Sequence, residues 1–114
     1  MVIRADQMGD LAGNARQRAN AGLADYARRR FPDRFGATPD NVLIRIAEEV
    51  RRRAAADGFE REDHVATYLD LTVMYGAEFG KSAWAAPILA NEEYTPDQRI
   101  AALQVRVEES GVKL

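Results

Sequence analysis

The sequence predicts an all-α fold: one domain over residues 1–114, a bundle of four main helices plus one short helix. Three observations predict it. Apolar residues recur every three or four positions through four long stretches, the period of a helix with one buried face. Two of these stretches open on the same signal, Thr-Pro-Asp at Thr38 and at Thr95. Each supplies a capping side chain, a proline at the first helical position and an acid near the positive end of the helix dipole. No stretch alternates apolar and polar residues with the period of two that a half-buried strand needs.

The first helix is expected over residues 5–31. Its apolar series is Met8, Leu11, Ala12, Ala15, Ala19, Leu23, Tyr26, Ala27 and Phe31, and Arg16, Arg18, Asp25 and Arg28 to Arg30 take the other side. Each glycine inside it weakens the helix by up to about 1 kcal/mol relative to alanine, so a break is expected near Gly13-Asn14. The small residues Ala12, Ala15 and Ala19 suggest close approach by another helix. Pro32 ends the helix, because a proline pushes the residue before it out of the α region. Residues 33–37 read as a connector.

The second main helix runs from Pro39 on Val42, Leu43, Ile46, Val50 and Ala54 to Asp57-Gly58, a left-handed stop. Glu48 with Arg52 and Glu49 with Arg53 are i,i+4 pairs on its outside. Phe59 is expected to pack back as the chain turns. The third helix lies within residues 63–84, which hold the only histidine, the only tryptophan and two of the four tyrosines. Val65, Tyr68, Leu69, Thr72, Val73, Gly76 and Phe79 make a broad face, with Leu71 and Met74 off it. A helix apolar on more than one side is sandwiched between others. Gly76 is expected to let a neighbouring backbone approach. Gly80 to Ser82 break the helix, and Trp84, Ala85, Ala86, Ile88 and Leu89 form a short helix that lids the core. The last helix buries Ile100, Leu103 and Val107, with Ala101 and Val105 nearby; Gly111 ends it and Val112 to Leu114 fray.

A chain of 114 residues is one domain by size and buries roughly two-thirds of its unfolded surface. Residues 1–61 carry 12 basic and 9 acidic side chains and residues 62–114 carry 4 basic and 9 acidic. That bipolar charge steers a partner without naming one. The absence of cysteine removes disulfides, thiolate metal sites and thiol nucleophiles. With no apolar run of signal-peptide or membrane-span length, a cytoplasmic location is expected.

His64 is the one imidazole. Adjacent residues on a helix point apart, so Asp63 and His64 make no dyad, and His64 reads as a surface histidine near a helix start. Glu62, Asp63 and Asp70 do not converge on one face, and no metal-binding spacing occurs. Asp70, between two leucines, needs hydrogen-bond donors or a basic partner if buried. Arg28 to Arg30 and Arg51 to Arg53 would make a phosphate-binding patch if their helices were neighbours. Interleaved acids make a solvated face the better reading. The aromatic set Tyr68, Tyr75, Phe79 and Trp84 reads as core, and aromatics also anchor protein interfaces. Catalytic, cofactor-binding and metal-ligating residues are therefore assigned as none. The candidate functional cluster is Asp70, Tyr75, Phe79 and Trp84, for binding another protein.

Two segments, residues 4–32 and 63–89, carry a resemblance. The pattern is a long helix ending in Phe31-Pro32, a Tyr-x-Asp-Leu helix (Tyr68 to Leu71), Gly-x-x-Phe (Gly76 to Phe79), Trp84-Ala85 and a last helix. In this the chain resembles small helical proteins of Gram-negative bacteria encoded beside type VI secretion spike, PAAR-tip and effector genes. Many of those have Asp after that phenylalanine where this chain has Gly80, so no role for that acid carries over. The resemblance implies a non-enzymatic accessory that binds an effector, toxin or spike component, as an adaptor or chaperone. An immunity protein against a cytosol-acting toxin is the alternative. From other classes, an enzyme would need a pocket where His64 or Asp70 meets converging polar groups. A nucleic-acid binder would need affinity that falls steeply with salt.

Overall fold

A computed structural model describes residues 5–110, with side chains from 13 to 109. Its elements are α1 (Ala5–Arg30), α2 (Pro32–Phe35), α3 (Asp40–Ala56), α4 (Glu62–Tyr75), a 3₁₀ turn (Phe79–Lys81), α5 (Ala86–Leu89) and α6 (Pro96–Ser110). The described residues hold no strand. The fold is all-α with the four expected main helices; where one short helix was expected there are two one-turn α-helices and a 3₁₀ turn. By contacts the chain divides into two compact units, Met1–Glu49 and Val50–Leu114, with α3 running through the division.

In the first unit α1 is unbroken through Gly13 and Asn14, so the expected break does not occur. The helix stops at Arg30 because Phe31, ahead of Pro32, takes φ −130° and ψ 66°. The chain then makes α2 instead of a plain connector, and this turn buries Phe35. Leu23, Ala24, Ala27, Leu43 and Ala47 are the other buried apolar residues. Ala15 is exposed and Ala19 only half-buried. The close helix approach expected there is thus absent, and the side chains of Met8, Leu11 and Ala12 lie outside the described residues.

Charged clasps join α1 to the first half of α3. Arg16 donates from Nη2 to Glu48 Oε1 at 2.6 Å, and from Nε to both carboxylate oxygens at 3.0 Å. The amide of buried Asn20 donates to Glu48 Oε2 at 2.5 Å. At the other end Arg28 donates to the Thr38 carbonyl at 2.6 Å and pairs with Asp40 at 2.9 Å. That guanidinium ties the last turn of α1 to the segment that opens α3.

In the second unit α3 ends on a Schellman turn. Phe59 N–H donates to Ala54 C=O at 2.8 Å and Gly58 N–H to Ala55 C=O at 3.0 Å. The geometry requires the left-handed φ of +90° at Gly58. It turns Phe59 inward to full burial. Gly76, at φ +97° with nothing within 4 Å of a would-be Cβ, closes α4. It serves as a backbone stop, not as the site of close approach expected for it. On α4 the buried residues are His64, Val65, Tyr68, Leu69 and Leu71, a wide arc packed against α6 and the 3₁₀ turn. Leu71, placed off the main face by its spacing, is inside the core. Helix α6 starts on a reciprocal capping box. Gln98 N–H donates to Thr95 Oγ1 at 3.2 Å, and Thr95 N–H donates to Gln98 Oε1 at 2.8 Å. Ile100 and Leu103 are its buried residues, while Val105 is 49% exposed. Gly111 and Val112 to Leu114 lie outside the described residues.

The two kinds of glycine should respond oppositely to alanine. Gly58→Ala forces a β-carbon into a left-handed turn, 3.1 Å from Arg99 Nη1, and is expected to cost about 1–2 kcal/mol. Gly13→Ala meets nothing within 4 Å and is expected to stabilise by up to about 1 kcal/mol. Urea unfolding of both variants measures the contrast.

Candidate protein-binding site

The site grows from how α4 is anchored. Tyr68 is buried on the inner arc, and its hydroxyl donates to Asp57 Oδ2 at 2.7 Å. Asp57 follows the last residue of α3, so this bond fastens the start of the turn to the middle of the next helix. Gly80 lies over it: a Cβ there would be 3.7 Å from Asp57 Oδ2 and 3.9 Å from the Tyr68 hydroxyl. An acid at position 80 would bring a second carboxylate toward Asp57, which gives the glycine a physical reason in this chain.

From Tyr68 an unbroken series of ring contacts runs both ways. Toward the start of α4, Tyr68 meets Phe59 at 6.0 Å and Phe59 meets the edge of His64 at 5.8 Å. Toward the end, Tyr68 meets Phe79 at 4.9 Å, Phe79 stacks on Trp84 at 6.2 Å, and Trp84 meets Tyr75 at 5.2 Å. Edge-to-face and offset pairs at these separations add about 0.5–1.5 kcal/mol each beyond area burial. The segment after α4 is folded to deliver Trp84 to this series. Phe79 and Ala85 are its buried anchors. Ser82 binds the Phe79 carbonyl through both its N–H, at 3.0 Å, and its hydroxyl, at 2.5 Å. Trp84 sits beside Ala85 and is half-buried, as is Tyr75.

Three of the four candidate residues therefore meet: Tyr75, Phe79 and Trp84. Phe79 is 2% exposed, so it is the floor of the cluster and not a contact surface. Asp70 does not join them. At 100° per residue Tyr68 and Tyr75 lie about 20° apart around α4, and Asp70 is about 140° or more from both. Its half-buried side chain belongs to another face of the helix.

A second cluster was missed by the sequence reading. His64 is buried, not a surface residue, and its Nε2 lies 2.7 Å from Asp97 Oδ1 in the first turn of α6. Arg61 binds Asp97 at 3.0 and 3.1 Å and Asp63 at 3.0 and 2.6 Å. The hydrogen bonds from Arg61 hold the Asp63 carboxyl below its ordinary range. The readable signal was spacing: His64 precedes Tyr68 by four residues and so shares its inner face. The arrangement ties the starts of α4 and α6 together. No group of three or more potential metal ligands occurs among the described residues.

The arginines of the two clusters are largely committed within their units. Arg28 serves the α2–α3 turn, Arg51 pairs with Glu62, and Arg53 donates to the Ala77 carbonyl at 2.8 Å. A cleft of about 290 Å³ beside Arg53, Glu78 and Lys81 has Asp57 and Tyr68 in its lining, but neither His64 nor Asp70. Lys81 pairs with Glu78 across 2.8 Å. None of the described helices is long and apolar enough to cross a membrane. Compared with known proteins, the chain matches no family model, no curated protein and no solved structure.

Two outcomes follow for the tyrosines. Burial first, and the bond to Asp57 second, push Tyr68 well above the usual tyrosine range. A raised folded-state value means its contribution is full below the unfolded value of about 10 and is lost as pH rises through the folded one. In an absorbance titration Tyr68 should ionise above the usual tyrosine range, with stability falling above about pH 10; Tyr68→Phe should abolish that late step. The Tyr75 hydroxyl is buried with no hydrogen-bond partner among the described residues. Because such a group costs about 1–3 kcal/mol to bury, Tyr75→Phe should leave the midpoint of urea unfolding unchanged or raise it. A clear loss would show that the hydroxyl is satisfied.

Proposed function

We propose that this chain is a non-enzymatic protein-binding accessory, an adaptor or chaperone for an effector or spike component of type VI secretion. The observation that carries the binding part is the Tyr75–Trp84 pair. Both residues are half-buried, their rings are held 5.2 Å apart, and Trp84 stacks on buried Phe79. Part-exposed aromatics fixed by packing are the residues that dominate interface energetics. They bring large area with few rotors left to freeze on binding. The secretion part rests on the resemblance carried by Phe31-Pro32, Tyr68 to Leu71, Gly76 to Phe79 and Trp84-Ala85.

One observation favours the alternative of an immunity protein. The acidic excess of residues 62–114 includes Glu92, Glu93, Glu108 and Glu109, all exposed, and exposed acids complement the basic cleft of a nucleic-acid-degrading toxin.

Titration calorimetry against the spike and effector proteins encoded beside this gene tests the proposal. The parent chain should bind one of them, and Trp84→Ala should weaken that binding about 30-fold or more with its far-ultraviolet spectrum unchanged. Full-strength binding by Trp84→Ala would remove this surface from the account. Failure to bind any spike or effector, combined with protection of cells expressing a neighbouring toxin, would replace the adaptor with the immunity protein.

A further inference from the structure

The outer side of α1 has an order that the protein-binding reading does not use. At 3.6 residues per turn, Asn14, Arg18, Ala21, Asp25 and Arg29 fall on one face, with Gly22 at its edge. All six are exposed. This face borders a groove between α1 and the first half of α3, about 580 Å³ where Asn14 and Arg18 line it and about 160 Å³ where Asp25 lines it; Ala21 and Ile44 belong to both parts. Arg18 and Asp25 have no ion-pair or hydrogen-bond partner among the described residues, in contrast to Arg16 and Arg28 on the same helix. Two turns, about 10 Å, separate them along the axis, too far for them to pair with each other.

We infer that this face is a dimer interface in which α1 pairs antiparallel with α1 of a second copy. The face is self-complementary in charge about a two-fold axis. An axis midway between Ala21 and Gly22 sets Arg18 opposite the second copy's Asp25, and Asp25 opposite its Arg18. It also sets Asn14 opposite Arg29. No like charges oppose each other. A parallel pairing would set each charge against its own kind. The residues nearest the axis are alanine and glycine, and nothing lies within 4 Å of a would-be Cβ at Gly22, so the two backbones can approach closely. A two-fold contact has to be self-complementary in this sense. A foreign helix would need an acid and a base placed two turns apart in the reverse order, which a second copy supplies by construction.

Sedimentation equilibrium of the full chain from about 1 to about 500 µM is the test. The parent chain should dimerise. Arg18→Asp alone and Asp25→Arg alone should each weaken the dimer about tenfold or more, since each places like charges at both ends of the contact. The double variant should recover it. So should an equimolar mixture of the two single variants. There the introduced aspartate of one copy faces the introduced arginine of the other, and the retained Asp25 faces the retained Arg18. Both positions are exposed, and far-ultraviolet circular dichroism verifies that each variant folds. Because the chain has no cysteine, Ala21→Cys offers a second reading: oxidation should give a disulfide-linked dimer, and Arg29→Cys should not. A parent chain that stays monomeric overturns the inference, whether or not it captures a foreign helix here. So does a dimer indifferent to both reversals, or a mixture of single variants that fails to associate.

Discussion

The hydrogen bond from the Tyr68 hydroxyl to Asp57 is the contact on which the second unit is arranged. It lies at 2.7 Å between the residue just past α3 and the middle of α4. A hydrogen bond to a charged acceptor contributes about 1.5–3 kcal/mol net, comparable to full burial of a single large apolar side chain. Its larger effect is geometric. The bond sets the rotation of Tyr68, and the ring of Tyr68 is the shared partner of Phe59 on one side and Phe79 on the other. The Schellman turn at Gly58 delivers Phe59 to that position, and the stop at Gly76 releases the chain so that Phe79 can return to it. Two glycine-dependent turns thus feed one aromatic series, and Trp84 is placed at its far end.

Much of this was legible in the sequence because it is local. The stop at Asp57-Gly58, the end of α1 before Pro32 and the cap at Thr95 each depend on a few consecutive residues whose chemistry has one good solution. The apolar series of α3 and α6 were legible for the same reason. What escaped the reading depends on pairs far apart in the chain. His64 looked like a surface histidine because its partner, Asp97, is 33 residues away. Glu48 was read only against Arg52 on its own helix, and its contacts to Arg16 and Asn20 on α1 were not foreseen. Ala15 and Ala19 looked like part of a packing stripe, whereas Ala15 is exposed, Ala19 is half-buried and the next residue, Asn20, is buried. Local patterning cannot distinguish such cases, because the winning contact is set by which helix arrives opposite.

The candidate site was partly legible in the same sense. Aromatic residues close in sequence after a helix suggested a cluster, and Tyr75, Phe79 and Trp84 do meet. Helical phase removes Asp70, which sits opposite Tyr68 around α4, and burial turns Phe79 into support. The surface left to a partner is a tyrosine and a tryptophan held on a fixed base. That combination suits binding without chemistry: the rings are oriented before contact, and their energetic worth comes from water displaced at their exposed parts. Of the charged residues nearby, Arg53 fastens α3 to the Ala77 carbonyl just past α4, and Lys81 pairs locally with Glu78.

The claim that a buried tyrosine sets the position of a distant tryptophan is tested most directly by the optical spectrum of Trp84, the one tryptophan in the chain. In Tyr68→Leu, which keeps an apolar side chain but loses the ring and the bond to Asp57, the near-ultraviolet circular dichroism of Trp84 should collapse. Its emission should move to longer wavelength while the far-ultraviolet helix signal persists. A Trp84 spectrum identical to the parent's would contradict the account, since the tryptophan would then be held by its own segment alone.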